Sequence, residues 1–354
     1  VPQESPIRRP QGHRERIAGS DGPGASIDRR IVTELSEADA RVCAEAFTAL
    51  VRNIEQVIQG KTEVVELVAL CLVAEGHALI EDRPGVGKTT LAKALATSLD
   101  TSFGRIQFTP DLLPSDVVGV TVFDRSSSSF TFRPGPVFNA VVLADEINRG
   151  SPKTQSALLE AMAEHQVTVD GQTYPLPRPH LVLATQNPIE HEGTYPLPDS
   201  QLDRFLMRIS MGYPSRADEL AILDRHGDAA GPVELRPVLS RAQLEDLVAS
   251  ARAVHVAAPL KEYLVDLAGA SRRHPAVWLG LSPRATLALQ RVSRARAAAA
   301  GRNYVTPDDI KALAEPVMAH RLLLHAEAQV QGLTAARVVA DLLTQVPVPA
   351  PRGR

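Results

Sequence analysis

Apolar positions recur every three or four residues from about Ser36 to Ile58 and again from Thr62 to Ala74, the spacing of helices that bury one face. The pattern then changes. Short runs, mostly β-branched or leucine-rich, at Ala78–Glu81, Arg105–Phe108, Val141–Ala144, Leu181–Thr185 and Arg208–Met211 predict five strands with helical segments between them. Strands that alternate with helices in this way argue an α/β domain whose parallel sheet is covered on both faces. Strand signals end after Tyr213-Pro214. From Arg216 onward the pattern is helical only, at about 216–226, 240–252, 258–273, 283–299, 307–321 and 333–344. Ser282-Pro283 and Thr306-Pro307-Asp308-Asp309 are helix starts, each an N-cap residue followed by proline at the first helical position. Gly301 closes the fourth of these helices.

Two stretches interrupt the core. Residues 120–138 alternate, turn on a serine run and alternate again, and residues 167–178 do the same around Asp170-Gly171, so both predict exposed β-hairpins. Such projections suit contact with a substrate; the plainer reading is padding of a sheet edge. The expected organisation is a disordered leader at 1–35, an α/β core at 36–214 carrying both hairpins, a helical domain at 215–345 and a disordered tail at 346–354.

With 354 residues the chain has room for two domains, and 44% hydrophobic residues allow an ordinary core. A formal net charge of −3 argues against nucleic acid as partner, because domains that bind it carry a basic excess. The longest apolar run, Leu67 to Ala74, is far short of the roughly 20 residues that span a bilayer. Residues 1–30 lack the apolar stretch of a signal peptide. Cys43 and Cys71 sit among apolar residues at helical spacing, as core hydrophobes that fit a reducing, cytoplasmic setting. His77 and His191 lack the paired spacing of a metal site, and His77 is expected to cap the entrance of the first strand.

The candidate chemistry begins at residues 82–90, Asp-Arg-Pro-Gly-Val-Gly-Lys-Thr-Thr, between the first strand and a helical pattern. A strand, a glycine loop with Gly-Lys-Thr and a helix form the arrangement that binds nucleoside triphosphates. Backbone amides of the loop, from Pro84, Gly85, Val86 and Gly87 into the helix start, converge on phosphate oxygens together with the positive end of the helix dipole. Lys88 places an ammonium at the β- and γ-phosphates, and the Thr89 hydroxyl takes one position on Mg²⁺, with Thr90 the weaker candidate. The strict pattern wants glycine where this chain has Asp82. A second element, Val141-Val142-Leu143-Ala144-Asp145-Glu146, is a buried-strand run ending in two acids. Carboxylates at the carboxyl end of a strand stand where open α/β sheets bind ligands. Asp145 is the candidate for holding Mg²⁺ through water, and Glu146 for polarising the attacking water as general base.

The stretches Gly76–Thr89, Leu143–Met162, Ala184–Pro188 and Tyr195–Phe205, with Leu281-Ser-Pro-Arg-Ala285, resemble the MoxR-type AAA+ ATPases, and the likeness spans most of residues 54–320. Asp82 in place of the first glycine is also what that family tends to show. The resemblance implies an AAA+ phosphate-loop core with strand order 5-1-4-3-2 and a helical lid, ATP and Mg²⁺ as ligands, and a homo-oligomeric, hexameric ring. It further implies chaperone-like remodelling of client proteins with a von Willebrand factor A-domain partner, in protein maturation or metal insertion. By likeness Asn187 is sensor 1, orienting the attacking water, and Arg284 is sensor 2, reaching back to the γ-phosphate. Gln59-Gly60 resembles the linker on the adenine side. Arg204 resembles the finger offered to a neighbouring copy's γ-phosphate, with Arg149 as competitor and an ion pair to Asp203 or Asp199 as the plain reading. Two other functions are weighed: a DNA-dependent AAA+ motor, disfavoured by the charge and by hairpins without a basic, aromatic stripe, and a nucleotide-gated scaffold with little turnover, disfavoured by Glu146 and Arg204 together.

Overall fold

Apolar runs too short for helices pair here as one parallel sheet of β1 (Ala78–Glu81), β2 (Phe103–Gln107), β3 (Val141–Asp145), β4 (Leu181–Gln186) and β5 (Met207–Ile209). The order is β5-β1-β4-β3-β2, the order 5-1-4-3-2 that the family resemblance implied, and every neighbouring pair is parallel. This computed structural model describes residues 35–82, 85–126, 128–187, 193–227 and 234–349. Because side chains alternate across a pleated sheet, its strands serve two cores. Ala78, Ile80, Leu143 and Leu183 face one, and Leu79, Val142, Ala144 and Val182 face the other.

Among the described residues ten longer helices surround and follow the sheet: α1 (Glu37–Glu55), α2 (Thr62–Val73), α3 (Lys88–Ser98), α4 (Pro152–Glu164), α5 (Arg216–Gly227), α6 (Arg241–Ala253), α7 (Ala258–Arg273), α8 (Pro283–Ala299), α9 (Pro307–Met318) and α10 (Ala335–Gln345). The starts read from the sequence are real caps: Ser282 Oγ accepts the Ala285 N–H at 3.3 Å, and Thr306 donates its N–H to Asp309 at 2.8 Å. Asp309 is buried and held by both terminal nitrogens of Arg302, at 2.7 and 2.6 Å. The first core gathers α1–α3 and the helical region around one sheet face, with Leu289 and Val292 of α8 in the same cluster as Leu50, Val68 and Leu95. Leu158, Leu159 and Met162 of α4 cover the other face.

Both hairpins form. Gly119–Asp124 pairs with Ser129–Pro134, and Gln166–Val169 with Gln172–Pro175 around Asp170 and Gly171, whose φ values of 51° and 79° are those of a tight hairpin turn. Phe132 of the first stacks on Tyr174 of the second with centroids 4.0 Å apart, so the two are joined. Phe123 and Phe130 pair near the outer end and stand 49% and 74% exposed.

The structure adds to the reading at four places. Within the helical region Val277–Leu279 and Leu323–Leu324 form a two-stranded antiparallel ribbon, too short to register as alternation. The helix expected to reach residue 321 ends at Met318 and tightens into a 3₁₀ turn over Ala319–Arg321. Leu35 and Val346, assigned to leader and tail, are buried, and Leu35 accepts a 3.0 Å hydrogen bond from Asn303. Residues 1–34 and 350–354 lie outside the described residues. Among the described residues no helix is long and apolar enough to cross a membrane.

Candidate nucleotide-binding site

Parallel pairing brings the carboxyl ends of β1, β4 and β3 side by side, and the candidate residues follow those ends. Gly85 and Gly87 both have left-handed backbones, at φ 82° and 93°, which glycine adopts without strain, and Gly87 caps α3. A Cβ on Gly85 would meet no atom within 4 Å, so the residue serves its backbone and not a close contact. The loop opens on a cavity of about 380 Å³ lined by Lys88, Thr89, Thr90, Asp145, Glu146 and Asn187 along with both glycines. Val86 packs partly buried against the core, and Pro84 falls outside the described residues.

The acids are held by neighbours that the sequence reading did not single out. Thr185, at the end of β4, donates its hydroxyl to Asp145 Oδ1 at 2.6 Å and accepts the Glu146 N–H at 2.9 Å. Arg105 of β2 donates to Asp145 Oδ2 at 2.7 Å, and Gln107 to Glu146 Oε2 at 3.0 Å. The signal was present in the sheet order, because pairing of β2 with β3 sets Gln107 opposite Asp145. Lys88 Nζ donates to the Asp82 carbonyl at 2.9 Å. Burial lowers the pKa of its ammonium, while Asp145, Asp82 and Glu146 raise it. The chemistry available is a cation and a helix N-terminus for a polyphosphate, hard oxygen donors for a divalent ion, and a carboxylate beside them.

Asp82 has a structural reason to differ from glycine. Its Oδ2 accepts the Gly212 N–H at 2.6 Å and the Ser210 hydroxyl at 3.2 Å, tying the first residue of the loop to the chain that leaves β5. Lys61 donates to the Tyr213 carbonyl at 2.7 Å, a second tie on the same connection. Asp82→Gly restores the general loop pattern yet is expected to destabilise the fold by about 1.5–3 kcal/mol, the usual worth of a hydrogen bond to a charged group. Chemical unfolding measures it, and affinity for a fluorescent ATP analogue is expected to persist. Gln59 and Gly60 do not line the cavity, but Ile58 beside them lies 3.9 Å from where a Gly87 Cβ would stand. Gly60 packs so closely on Asp218 of α5 that a Cβ would clash.

Arg284 requires a correction. It does not reach back to the phosphate loop of its own copy: with Arg204 it lines a separate cavity of about 520 Å³ that includes Glu75, Gly76 and His77. Those residues precede β1 and Lys88 follows it, so the cavities lie at opposite ends of a strand about 13 Å long. The cause is the packing of α8 on α1, α2 and α6, which sets its first turn at the end of α2. Asp203 is bonded to Arg321 at 2.7 Å, so the ion pair considered for Arg204 is not made there. Arg149 pairs with Glu146 of its own copy at 3.1 Å.

His77 sits at the strand entrance as expected, accepting the Val182 N–H at Nδ1 (3.0 Å) and donating from Nε2 to the Met162 carbonyl (3.2 Å). Ring nitrogens of His77, His165 and His180 approach within 4.8 Å of one another. These residues suit a metal poorly. Both nitrogens of His77 are spent on backbone, and Arg178 and Arg291 bring positive charge to His165. Burial pushes the His180 pKa down to about 4 and that of His77 well below its ordinary value.

A five-stranded parallel sheet in this order, a glycine loop feeding a helix, paired acids at the end of the next strand but one and a following helical region define the AAA+ class of phosphate-loop ATPases. The model of the "ATPase family associated with various cellular activities (AAA)" matches residues 77–207, and that of the AAA lid domain residues 269–342. The chain is 48% identical to YeaC of Bacillus subtilis, over 86% of this chain and 95% of that one. It is 40% identical to chaperone MoxR1 of Mycobacterium tuberculosis (84% and 81%) and 33% identical to protein MoxR of Paracoccus denitrificans (83% and 94%). The crystal structure of a presumed ATPase from Cytophaga hutchinsonii superposes with a TM-score of 0.83 at 35% identity, covering 89% of this chain and 98% of that one. The chain belongs to the MoxR-type AAA+ ATPases.

Proposed function

We propose that this protein is a Mg²⁺-dependent ATPase that works as a ring of copies and couples turnover to the remodelling of client proteins. The observation that carries this reading is the separation of Lys88, Thr89, Asp145, Glu146 and Asn187 from Arg204 and Arg284 by the length of β1. One copy holds the triphosphate, and the guanidinium groups come from the next. The loop amides and Lys88 grip the phosphates. The Thr89 hydroxyl and the Asp145 carboxylate are hard oxygen donors on one wall, a set that fits Mg²⁺, which when bound neutralises phosphate charge and orients the transferred group. Glu146 takes the proton of the attacking water, whose position Asn187 fixes. Arg204 and Arg284 of the adjoining copy offset the charge that develops on the γ-phosphoryl group.

Six copies per ring, a von Willebrand factor A-domain partner and a role in protein maturation or metal insertion follow from likeness to the MoxR proteins. The exposed Phe123 and Phe130 offer the client an apolar contact. An adenine contact at Gln59-Gly60 follows from the same likeness, and the adjoining Ile58 approaches Gly87 of the loop. Buried, free Cys43 and Cys71 fit a cytoplasmic setting. The test is titration with a fluorescent ATP analogue and Mg²⁺. Saturable uptake is expected, weakened roughly 10- to 100-fold by Lys88→Ala, the loss of one charge-assisted contact. Uptake indifferent to that substitution ends the reading.

A further inference from the structure

The cavity that holds Arg204 and Arg284 carries more positive charge than those two residues supply. Its walls present six arginines, Arg204, Arg252, Arg284, Arg291, Arg294 and Arg321, against the carboxylates of Glu75 and Asp203. Both carboxylates are engaged. Glu75 pairs with Arg252, and Asp203 with Arg321, whose remaining nitrogens donate to the carbonyls of Asp203, Phe205, Leu206 and Val317. Arg321 is therefore a clamp between β5 and the helical region. Among the described residues Arg204, Arg284, Arg291 and Arg294 make no hydrogen bond or ion pair, and Nε of Arg294 is buried without any acceptor.

A buried donor without an acceptor costs free energy, and Nε of the partly buried Arg294 is such a donor. Arg291 keeps an exposed side chain. Partial desolvation lowers the pKa of both, and the nearby Arg284 and Arg252 lower that of Arg291 further. His77 and His165 on the same wall are held toward their neutral forms and add no negative charge. Arg284, Leu287, Ala288, Arg291 and Arg294 follow helical spacing along α8, so one face of the helix looks into the cavity. Arg284 and Arg291 are two turns apart, about 10 Å along the axis, a stripe longer than a single phosphate group. Arg291 and Arg294 are one turn apart and unpaired, which matches a dianion held by two forked donors better than a single carboxylate.

We propose that Arg291 and Arg294 form a second phosphate subsite in this cavity, beyond the one at Arg204 and Arg284. Its ligand is a phosphate group, carried either by inorganic phosphate, the product of hydrolysis, or by the nucleotide of an adjoining copy. Only the second source rests on the ring reading above. Four unpaired guanidiniums in a partly enclosed site focus the field on such an anion, and exchange between adjacent subsites gives the cleaved phosphate a place to go.

The test uses the full chain in two arms. Lys88→Ala protein, disabled at its own loop, is titrated with sodium phosphate at constant ionic strength, with chloride as control, by calorimetry. Saturable binding is expected, weakened about tenfold or more when Arg291→Gln and Arg294→Gln are added, the scale of one lost charge-assisted contact. In the second arm, ATP-dependent assembly of Glu146→Gln protein is followed by mass. If the neighbour's nucleotide is the source, the arginine pair of substitutions weakens assembly about tenfold while the affinity of dilute protein for the ATP analogue stays unchanged. Arg291→Lys with Arg294→Lys keeps the charge, is expected to restore part of the effect in whichever arm responds, and replaces the glutamine pair should that pair fail to fold. A response in either arm supports the subsite and names its source. Phosphate affinity and assembly both indifferent to the substitutions, or absent altogether, overturn it, while the ATP titration against Lys88→Ala stands as a separate result.

Discussion

Arg204→Ala protein is expected to bind an ATP analogue as tightly as the wild type and to hydrolyse ATP roughly 10³–10⁵-fold more slowly, the range for an arginine finger supplied in trans. Affinity is spared because Arg204 stands at the far end of β1 from Lys88 and the paired acids of its own copy. A mixing experiment separates this from a local defect. Lys88→Ala copies have an impaired phosphate loop but keep Arg204, whereas Arg204→Ala copies keep the loop but lack the finger. Mixing the two inactive proteins therefore assembles sites with one intact half from each and recovers part of the wild-type rate. Arg284→Ala is expected to behave in the same way, because Arg284 shares the cavity with Arg204. Full turnover by dilute, monomeric protein, or no recovery on mixing, counts against completion of the site by a neighbour.

Much of this arrangement was legible in the residues because local chemistry determines it. The glycine loop, the helix behind it and two acids at a buried strand's end each need a particular residue at a particular backbone position, and neighbours in sequence supply that context. The three inner strands, β1, β4 and β3, are apolar on both faces for the same reason, which is why their limits are set by burial and not by alternation. What remained hidden depends on distant pairing. Arg105 and Thr185 read as ordinary strand residues until the order β4-β3-β2 sets them against Asp145. Asp82 read as a departure from a pattern until the end of β5 came beside it. Arg284 carried a resemblance to a residue that senses its own copy's nucleotide, but its cavity depends on how α8 packs against α2, and helical periodicity in one segment holds no information on that. Likewise His165 and His180 share no spacing with His77; they meet because α4 ends beside the entrance of β4.

Glu146→Gln protein is expected to bind ATP and assemble but to turn over roughly 10²–10⁴-fold more slowly, the usual contribution of a general base. The substitution leaves shape and hydrogen-bonding capacity nearly intact and removes only the basic oxygen. Glu146 occupies a left-handed backbone at φ 56°, unusual for a residue with a Cβ and a cost of about 1–3 kcal/mol where it occurs. Its N–H is nonetheless fixed by Thr185, so that Gln107 and Arg149 meet its carboxylate at 3.0 and 3.1 Å. A glycine would adopt that backbone freely. Glu146→Gly is therefore expected to unfold no earlier than Glu146→Gln in thermal melts, and to be equally inactive, because the strain supports chemistry and not stability. Single-turnover hydrolysis with bound nucleotide quantified in parallel makes the comparison. A Glu146→Gln protein hydrolysing at the wild-type rate would remove Glu146 from the reaction and leave the left-handed turn without a catalytic explanation.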